Sequence, residues 1–188
     1  MSSATLPGIK AAPEYRQGIA ALHAEFGIPA DYAQKRQLPL CEEARELVSI
    51  GTDILGREQR LAPRAAAAWE AMRAAAERDG VRLLAVSGFR SVEYQATLIR
   101  RKLDRGMAVA DVLKINAAPG YSEHHTGRAL DLTTPESQPL EVGFETTAAY
   151  AWLTRHADEH GFRLSYPRNN PHGINYEPWH WAFHDTGR

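Results

Sequence analysis

Histidine and acidic side chains cluster near the middle of the sequence, in the segment PGYSEHHTGRALDL. His124 and His125 stand just before Gly127, and Asp131 follows in a stretch of alternating residue types. Alternate side chains of a strand point to opposite faces, so Asp131 would share its face with a small alanine while the leucines are buried. A turn at Gly127 can fold an imidazole back toward that face. The segment therefore predicts two ligands of a zinc site, an imidazole and a carboxylate.

A further ligand is available near the C-terminus, in EPWHW. Glu177 and His180 would point to opposite faces of a regular strand. Both can reach one metal ion only if Glu177 lies in the turn before the strand, where Pro178 interrupts the pattern. Two histidines and one aspartate leave a coordination position open for water, which is the arrangement of a catalytic zinc site. A buried His-Asp hydrogen bond is the alternative explanation for the first pair of residues.

A second pair of histidines, at the ends of HADEH from His156 to His160, has the helical spacing of a zinc motif. In the zinc motif HExxH the acidic residue directly follows the first histidine. Here the acidic residues stand third and fourth, so we interpret this segment as a solvated helix face.

The helices and strands predicted around these residues determine how they can meet in the fold. Residues 61–79 are rich in strong helix formers with a proline in the first turn, and Gly80 would end this helix. The apolar run VRLLAVSGF predicts a buried strand, and Ser91 is an N-cap candidate for the helix after it. Arg90 then lies at a strand-to-helix junction, where functional side chains are commonly displayed.

The rest of the chain mixes short elements without regular βαβ spacing. Residues 105–122 predict a loop, residues 146–161 a last helix, and FRLSY and WHWAF two short strands. Residues 1–50 combine short helical patterns with several prolines, which indicates an irregular N-terminal layer of the same domain. We expect one globular domain of the α+β class, in which helices pack on one face of a small, mostly antiparallel sheet.

Composition excludes several classes of protein. The 188 residues include 22 Lys and Arg and 23 Asp and Glu, so no global field favours nucleic acid. Cys41 is the only cysteine, which excludes an internal disulfide and a Cys-rich zinc site and leaves a buried or incidental thiol. No apolar stretch approaches the about 20 residues of a membrane span, and the N-terminus lacks the pattern of a signal peptide.

Three motifs resemble, in order, those of a known enzyme family. They are SGFRS around Arg90, S-x-H-x-x-G-x-A-x-D from Ser122 to Asp131, and E-x-W-H from Glu177 to His180. The combination is similar to that of the VanY-type D-alanyl-D-alanine metallocarboxypeptidases, whose superfamily includes the lysostaphin-type endopeptidases and the hedgehog signalling domain. The resemblance implies that residues 51–188 are a zinc peptidase domain with the hedgehog/D-Ala-D-Ala-peptidase fold.

The resemblance also implies the metal ligands, which are His124, Asp131 and His180 with one Zn²⁺ per chain. In the family the metal-binding histidine stands three residues before the glycine, which selects His124. His125 is then at most a neighbour of the site or a residue that faces substrate.

Further roles follow from the same resemblance. Glu177 would take a proton from the zinc-bound water, and Arg90 would polarise the scissile carbonyl and hold the developing oxyanion. Ser122 and Gln95 would contact substrate. The presence of both Glu177 and Arg90 disfavours the alternative from another class, a zinc-containing module that binds the cell wall without catalysis.

The implied reaction is hydrolysis of the terminal D-Ala-D-Ala bond of bacterial peptidoglycan peptides. The partners would be stem peptides or other D-Ala-terminated peptides. An L,D-carboxypeptidase, a D-Ala-D-Ala dipeptidase and an endolysin-like endopeptidase stay open, because the metal does not specify the substrate. We expect a monomer that is cytoplasmic as the chain is given, with delivery to the cell wall by another route left open.

Overall fold

The computed structural model describes residues 12–185, which form six α-helices and six β-strands. The helices are α1 (Pro13–Phe26), α2 (Tyr32–Lys35), α3 (Pro63–Arg78), α4 (Val92–Leu103), α5 (Val109–Ile115) and α6 (Ala148–His156). The strands are β1 (Val48–Thr52), β2 (Glu58–Leu61), β3 (Leu84–Ser87), β4 (Ala129–Thr133), β5 (Phe162–Leu164) and β6 (His180–Phe183). Short 3₁₀ helices lie at Glu123–Thr126, Val142–Thr146 and Ala157–His160. None of the helices in this range is long and apolar enough to cross a membrane.

An antiparallel sheet of four strands, in the order β3-β4-β6-β5, forms the centre of the fold. Asp131 of β4 lies opposite Ser87 of β3 on one side and opposite His180 of β6 on the other. Directly paired residues of neighbouring strands point to the same face, so this register brings the aspartate and the C-terminal histidine of the motifs together. The predicted α+β fold with a mostly antiparallel sheet is confirmed.

The leucine face of β4 packs on α3 and α6. Leu130 and Leu132 are fully buried, in one core with Trp69 of α3 and Trp152 of α6. Burial of each leucine side chain contributes about 1.5–3 kcal/mol. A slip of the strand by one residue would exchange these leucines for Asp131, so the core fixes the register that presents the aspartate on the other face.

Elements with strong local signals have nearly the predicted bounds. α3 covers most of the predicted helix 61–79, and the predicted helix 146–161 consists of α6 and the 3₁₀ helix that follows it. Ser91 caps α4, because its Oγ accepts a hydrogen bond from the N–H of Tyr94 at 3.0 Å. The loop that begins at Gly88 therefore carries Arg90 between β3 and α4.

Two regions are more regular than the sequence predicted. Within the N-terminal layer α1 is a 14-residue helix, and at the end of the layer β1 forms an antiparallel pair with β2. The expected loop 105–122 contains α5. α1 buries only Ile19 and Phe26 and α5 has 7 residues, so neither has a long apolar stripe of the kind that identifies a helix from sequence. Residues 1–11 of the expected layer lie outside the described residues.

The N-terminal helices support the loop that precedes His124. α1 and α2 contribute to a second core together with α4 and α5. The N–H of Cys41 donates to the carbonyl of Gly120 at 2.7 Å, and His23 Nε2 lies 2.9 Å from the carbonyl oxygen of Pro119. The N-terminal layer therefore holds the start of the histidine motif in place.

Candidate active site

Three buried side chains meet on the face of the sheet opposite to the leucines. Asp131 lies in the middle of β4, His180 is the first residue of β6, and His124 belongs to the 3₁₀ helix before β4. One ligand atom from each lies within 4.8 Å of the others. Within residues 12–185 this is the one group of three or more His, Cys, Asp or Glu side chains close enough to hold a metal ion.

The turn at Gly127 has the conformation that this arrangement requires. Its φ is 64°, in the left-handed region that favours glycine. A Cβ atom at this position would lie 2.8 Å from the backbone nitrogen of Ala62, so any other residue would be both strained and crowded. The turn predicted from the sequence is thus present between His124 and β4.

Each imidazole is anchored through one nitrogen and presents the other to the cluster. His124 Nδ1 lies 2.6 Å from the carbonyl oxygen of Gly88, to which it donates. His180 Nε2 donates to a carboxylate oxygen of Glu123 at 2.8 Å, which turns Nδ1 toward Asp131. Metal-binding histidines are typically fixed in this way by a carbonyl or a carboxylate on the outer nitrogen.

Glu123 is a site residue that the sequence reasoning missed. It precedes His124 in the chain, but it binds the other histidine, 57 residues further on. Burial alone would raise the pKa of Glu123, yet the hydrogen bond and the charge of His180 lower it to about 2. Its adjacency to His124 was visible in the sequence, whereas its contact with His180 depends on how the 3₁₀ helix lies against β6.

Arg90 reaches into the ligand cluster. Its Nη2 lies 2.9 Å from His124 Nε2 and also donates to Asp131 Oδ2. Its Nε donates to Ser87 Oγ at 2.9 Å, which fixes the guanidinium against β3. The strand-to-helix junction predicted for Arg90 therefore delivers its side chain to the residues proposed as metal ligands.

The donor atoms of the cluster fit a cation. His180 Nδ1 lies 3.1 Å from Asp131 Oδ1. Burial alone would lower the pKa of His180, but its hydrogen bonds with Asp131 and Glu123 raise it to about 10. Burial, and then the charge of Arg90, lower the pKa of His124 to about 4, so Nε2 keeps its lone pair. Two imidazole nitrogens and one carboxylate oxygen form a ligand set that suits Zn²⁺.

Glu177 lies in the turn before β6, as the sequence predicted. The N–H of His180 donates to the carbonyl of Glu177 at 3.1 Å and so closes this turn over Pro178. The carboxylate of Glu177 is 3.9 Å from His180 Nδ1. Burial raises the pKa of Glu177 to about 7, which places a carboxylate able to exchange a proton near neutral pH beside the ligand cluster.

His125 points away from the cluster and faces neither ligands nor cleft. Its Nδ1 donates to the carbonyl oxygen of Arg90 at 2.6 Å, and its Nε2 accepts the N–H of Gly120 at 3.2 Å. The side chain is fully buried. His125 therefore braces the backbone on both sides of the site.

A cleft of about 890 Å³ opens over the cluster, a volume typical of a site for a small ligand. It is lined by all seven residues predicted for the site: Arg90, Gln95, Ser122, His124, Asp131, Glu177 and His180. Gln95 and Ser122 are buried in its wall, and Gln95 Nε2 donates to the carbonyl of Ala117 at 2.8 Å.

The remaining candidates have other partners. His156 Nδ1 lies 3.1 Å from Glu159 Oε1 on an exposed surface, and the ring of His160 stacks on Trp152. The helix-face interpretation of HADEH agrees with these contacts. Cys41 is buried, and burial, then the charge of Glu123, raise the pKa of its thiol to about 12. This thiol is not poised as a nucleophile.

Comparison with known proteins gives a consistent set of relatives. The family model described as "VanY: D-alanyl-D-alanine carboxypeptidase" matches residues 58–186. A protein of Bacillus subtilis (strain 168) named "Putative carboxypeptidase YodJ" is 35% identical over 123 residues, which are 63% of this chain and 44% of the relative. The chain thus spans less than half of the length of that relative.

Two solved structures are similar in fold and sequence. The LdcB LD-carboxypeptidase is 31% identical with a TM-score of 0.68, and the match covers 75% of this chain and 69% of LdcB. A mutant of the vancomycin resistance D,D-pentapeptidase VanY, solved in complex with Zn(II), is 25% identical with a TM-score of 0.59 and coverage of 77% and 86%. The zinc in that relative agrees with the His-Asp-His group of this chain.

Proposed function

Because the chain belongs to the VanY family of D-alanyl-D-alanine carboxypeptidases, we propose that it is a zinc-dependent D,D-carboxypeptidase. It would hydrolyse the terminal D-Ala-D-Ala bond of peptidoglycan stem peptides. The observation that carries this proposal is the buried cluster of His124, Asp131 and His180, with the carboxylate of Glu177 at its edge. We assign the peptidase domain to residues 51–188 and the N-terminal layer to the same domain, because α1 and α2 share a core with α4 and α5.

The proposed ligands are His124 through Nε2, Asp131, and His180 through Nδ1. When bound, Zn²⁺ would polarise a carbonyl oxygen and lower the pKa of water to about 7. Glu177 would accept a proton from the attacking water and pass it to the leaving amine. Its position beside His180 and its raised pKa support this role.

Arg90 would stabilise negative charge on the carbonyl oxygen of the scissile bond. Its guanidinium contacts Asp131 and His124 Nε2, so it lies beside the place where the reaction would occur. One preorganised donor to an oxyanion contributes about 3–4 kcal/mol to transition-state stabilisation. Ser122 and Gln95, in the wall of the same cleft, would contact the substrate.

An L,D-carboxypeptidase is the second candidate. It is supported by the similarity to the LdcB LD-carboxypeptidase, which exceeds that to the zinc-bound VanY in both identity and TM-score. The two activities share the metal chemistry and differ in the residue that precedes the cleaved bond, so the ligand cluster does not separate them.

A panel of muropeptides tests the proposed reaction. The zinc-loaded protein is incubated with a pentapeptide ending in D-Ala-D-Ala, the corresponding tetrapeptide, and the free dipeptide, and free D-alanine is measured by mass spectrometry. We expect release of one D-alanine from the pentapeptide. Release of D-alanine from the tetrapeptide alone would show an L,D-carboxypeptidase. Release from the dipeptide alone would show a dipeptidase. No product from any of them with zinc bound would favour a cell-wall-binding module.

Removal of the charge of Glu123 is expected to weaken metal binding. Because Glu123 fixes the ring of His180 through Nε2, the Glu123→Gln variant should bind zinc about 10- to 100-fold more weakly. Competition with a chelator measures this affinity, and Glu46→Gln, at an exposed position, is the matched control. Equal zinc affinities of the two variants would show that Glu123 does not support the metal site.

A further inference from the structure

One basic side chain of the cleft has no carboxylate partner among residues 12–185. Arg57, Arg90 and Lys102 are the basic residues that line it. Arg57 pairs with a buried aspartate at 2.7 Å, and Arg90 pairs with Asp131. Within the described part of the chain Lys102 forms no ion pair, and the charged groups that affect it, Arg90 and Arg105, are both cations. A cation without a counter-ion in a substrate cleft favours an anionic group of the substrate.

Lys102 lies on the same side of α4 as Gln95, facing the cleft. Lys102 and Gln95 both line the cleft and lie two helical turns apart, which is a rise of about 10.5 Å. Helical side chains lean toward the N-terminus of their helix, so we expect the flexible stem of Lys102 to extend toward Gln95. Gln95 Oε1 lies 3.5 Å from Arg90 Nη1. Among the charged groups, Arg90 acts most strongly on Lys102, so the ammonium lies in the same part of the cleft as the guanidinium that contacts the ligand cluster.

The wall around Lys102 suits the last residue of a peptide. Leu98 and Ile115 supply apolar surface there, which accepts a small side chain such as that of alanine. Asn116 lines the same wall, and its Oδ1 is buried without a hydrogen-bond partner among the described residues. A C-terminal residue offers an N–H donor for this amide, an apolar side chain and a carboxylate for the lysine.

We propose that Lys102 binds the C-terminal carboxylate of the peptide substrate and thereby restricts cleavage to the bond next to a free chain end. The inference rests on the proposed peptidase function and adds how the cleft selects a carboxypeptidase substrate over an internal bond. A peptide that continues past this position, or that ends in a carboxamide, places no negative charge beside Lys102.

Binding measurements separate this proposal from the question of turnover. Calorimetry follows the binding of N-acetyl-L-Lys-D-Ala-D-Ala and of its C-terminal carboxamide to zinc-loaded protein carrying Glu177→Gln. We expect the carboxylate form to bind about 10- to 100-fold more tightly, the range of a hydrogen bond to a charged group. Adding Lys102→Met should remove this preference and Lys102→Arg should restore most of it. Lys114→Met, at an exposed lysine that pairs with Asp111, is the control.

The outcomes distinguish failure of the subsite from failure of the enzyme. The proposal would be overturned if the Lys102→Met variant still bound the carboxylate peptide more tightly than the carboxamide. It would also be overturned if the protein with Lys102 intact bound both peptides equally. Neither result depends on whether the protein cleaves peptides. If Lys102→Met weakened the binding of both peptides by the same factor, the lysine would have a general packing role and the proposal would also be overturned. Absence of D-alanine release from the muropeptides, with the carboxylate preference intact, would refute the proposed reaction alone.

Discussion

Replacing Glu177 with glutamine is expected to lower kcat by about 10²- to 10⁴-fold, the contribution of a positioned general base, while the protein still binds one zinc ion. Glutamine keeps the shape of the side chain but cannot accept a proton. Glu177 lies in the turn before β6 with its carboxylate 3.9 Å from His180 Nδ1, outside the His-Asp-His group. Turnover of a D-Ala-terminated peptide and zinc content by mass spectrometry measure the two effects separately.

The control for this variant is Glu141→Gln, which changes an exposed glutamate of the same cleft and should leave kcat unchanged. Near-normal turnover by the Glu177→Gln protein would refute the assignment of the base. Loss of zinc together with turnover would instead make Glu177 part of the metal site.

The pH dependence of the reaction gives a second readout of the same residue. A base acts in its deprotonated form, and burial raises the pKa of Glu177 to about 7. Activity is therefore expected to be lost as the pH falls through the pKa of this carboxyl group, and to be retained above it. The residual activity of the Glu177→Gln variant should lack this acid limb in the profile of kcat/KM against pH, because glutamine does not titrate.

Local patterns in the sequence were sufficient to predict the parts of the site that depend on turns and on strand alternation. The leucines that flank Asp131 identified its strand and the face it presents, since their burial drives the register. The left-handed turn at Gly127 and the position of Glu177 before β6 follow from residue types at single positions. These features are set within a few residues, so one sequence reveals them.

Features that depend on packing between distant segments were not predictable in this way. The hydrogen bond of Glu123 with His180 joins residues 57 positions apart, and no periodicity encodes it. The pairing of Asp131 with both Ser87 and His180 requires the strand order of the sheet, which short strands of similar composition do not specify. An irregular layer was predicted for residues 1–50 because of their prolines, whereas α1 buries few residues and gains stability from contacts with the loop before His124.

The two adjacent histidines illustrate this limit, because residue type alone gave no reason to choose between them. In the structure His124 keeps one nitrogen for the cluster, since only Nδ1 is used by the carbonyl of Gly88. Both nitrogens of His125 are used by the backbone, at Arg90 and Gly120. Because their contacts differ, we expect the same substitution to affect metal binding at His124 and stability at His125.

His124→Ala is accordingly expected to lose stoichiometric zinc and with it all measurable turnover, because a three-ligand site that loses one ligand no longer has the coordination of a catalytic zinc site. His125→Ala should retain one zinc per chain but lower the free energy of unfolding by about 1–3 kcal/mol, since it leaves the partly buried carbonyl of Arg90 and the buried N–H of Gly120 unpaired. Zinc content after dialysis and denaturant unfolding measure the two outcomes. If only His125→Ala lost zinc, His125 would be the metal ligand and His124 would not. The two roles exclude each other, because an imidazole with both nitrogens bound to the backbone has no free nitrogen for a metal.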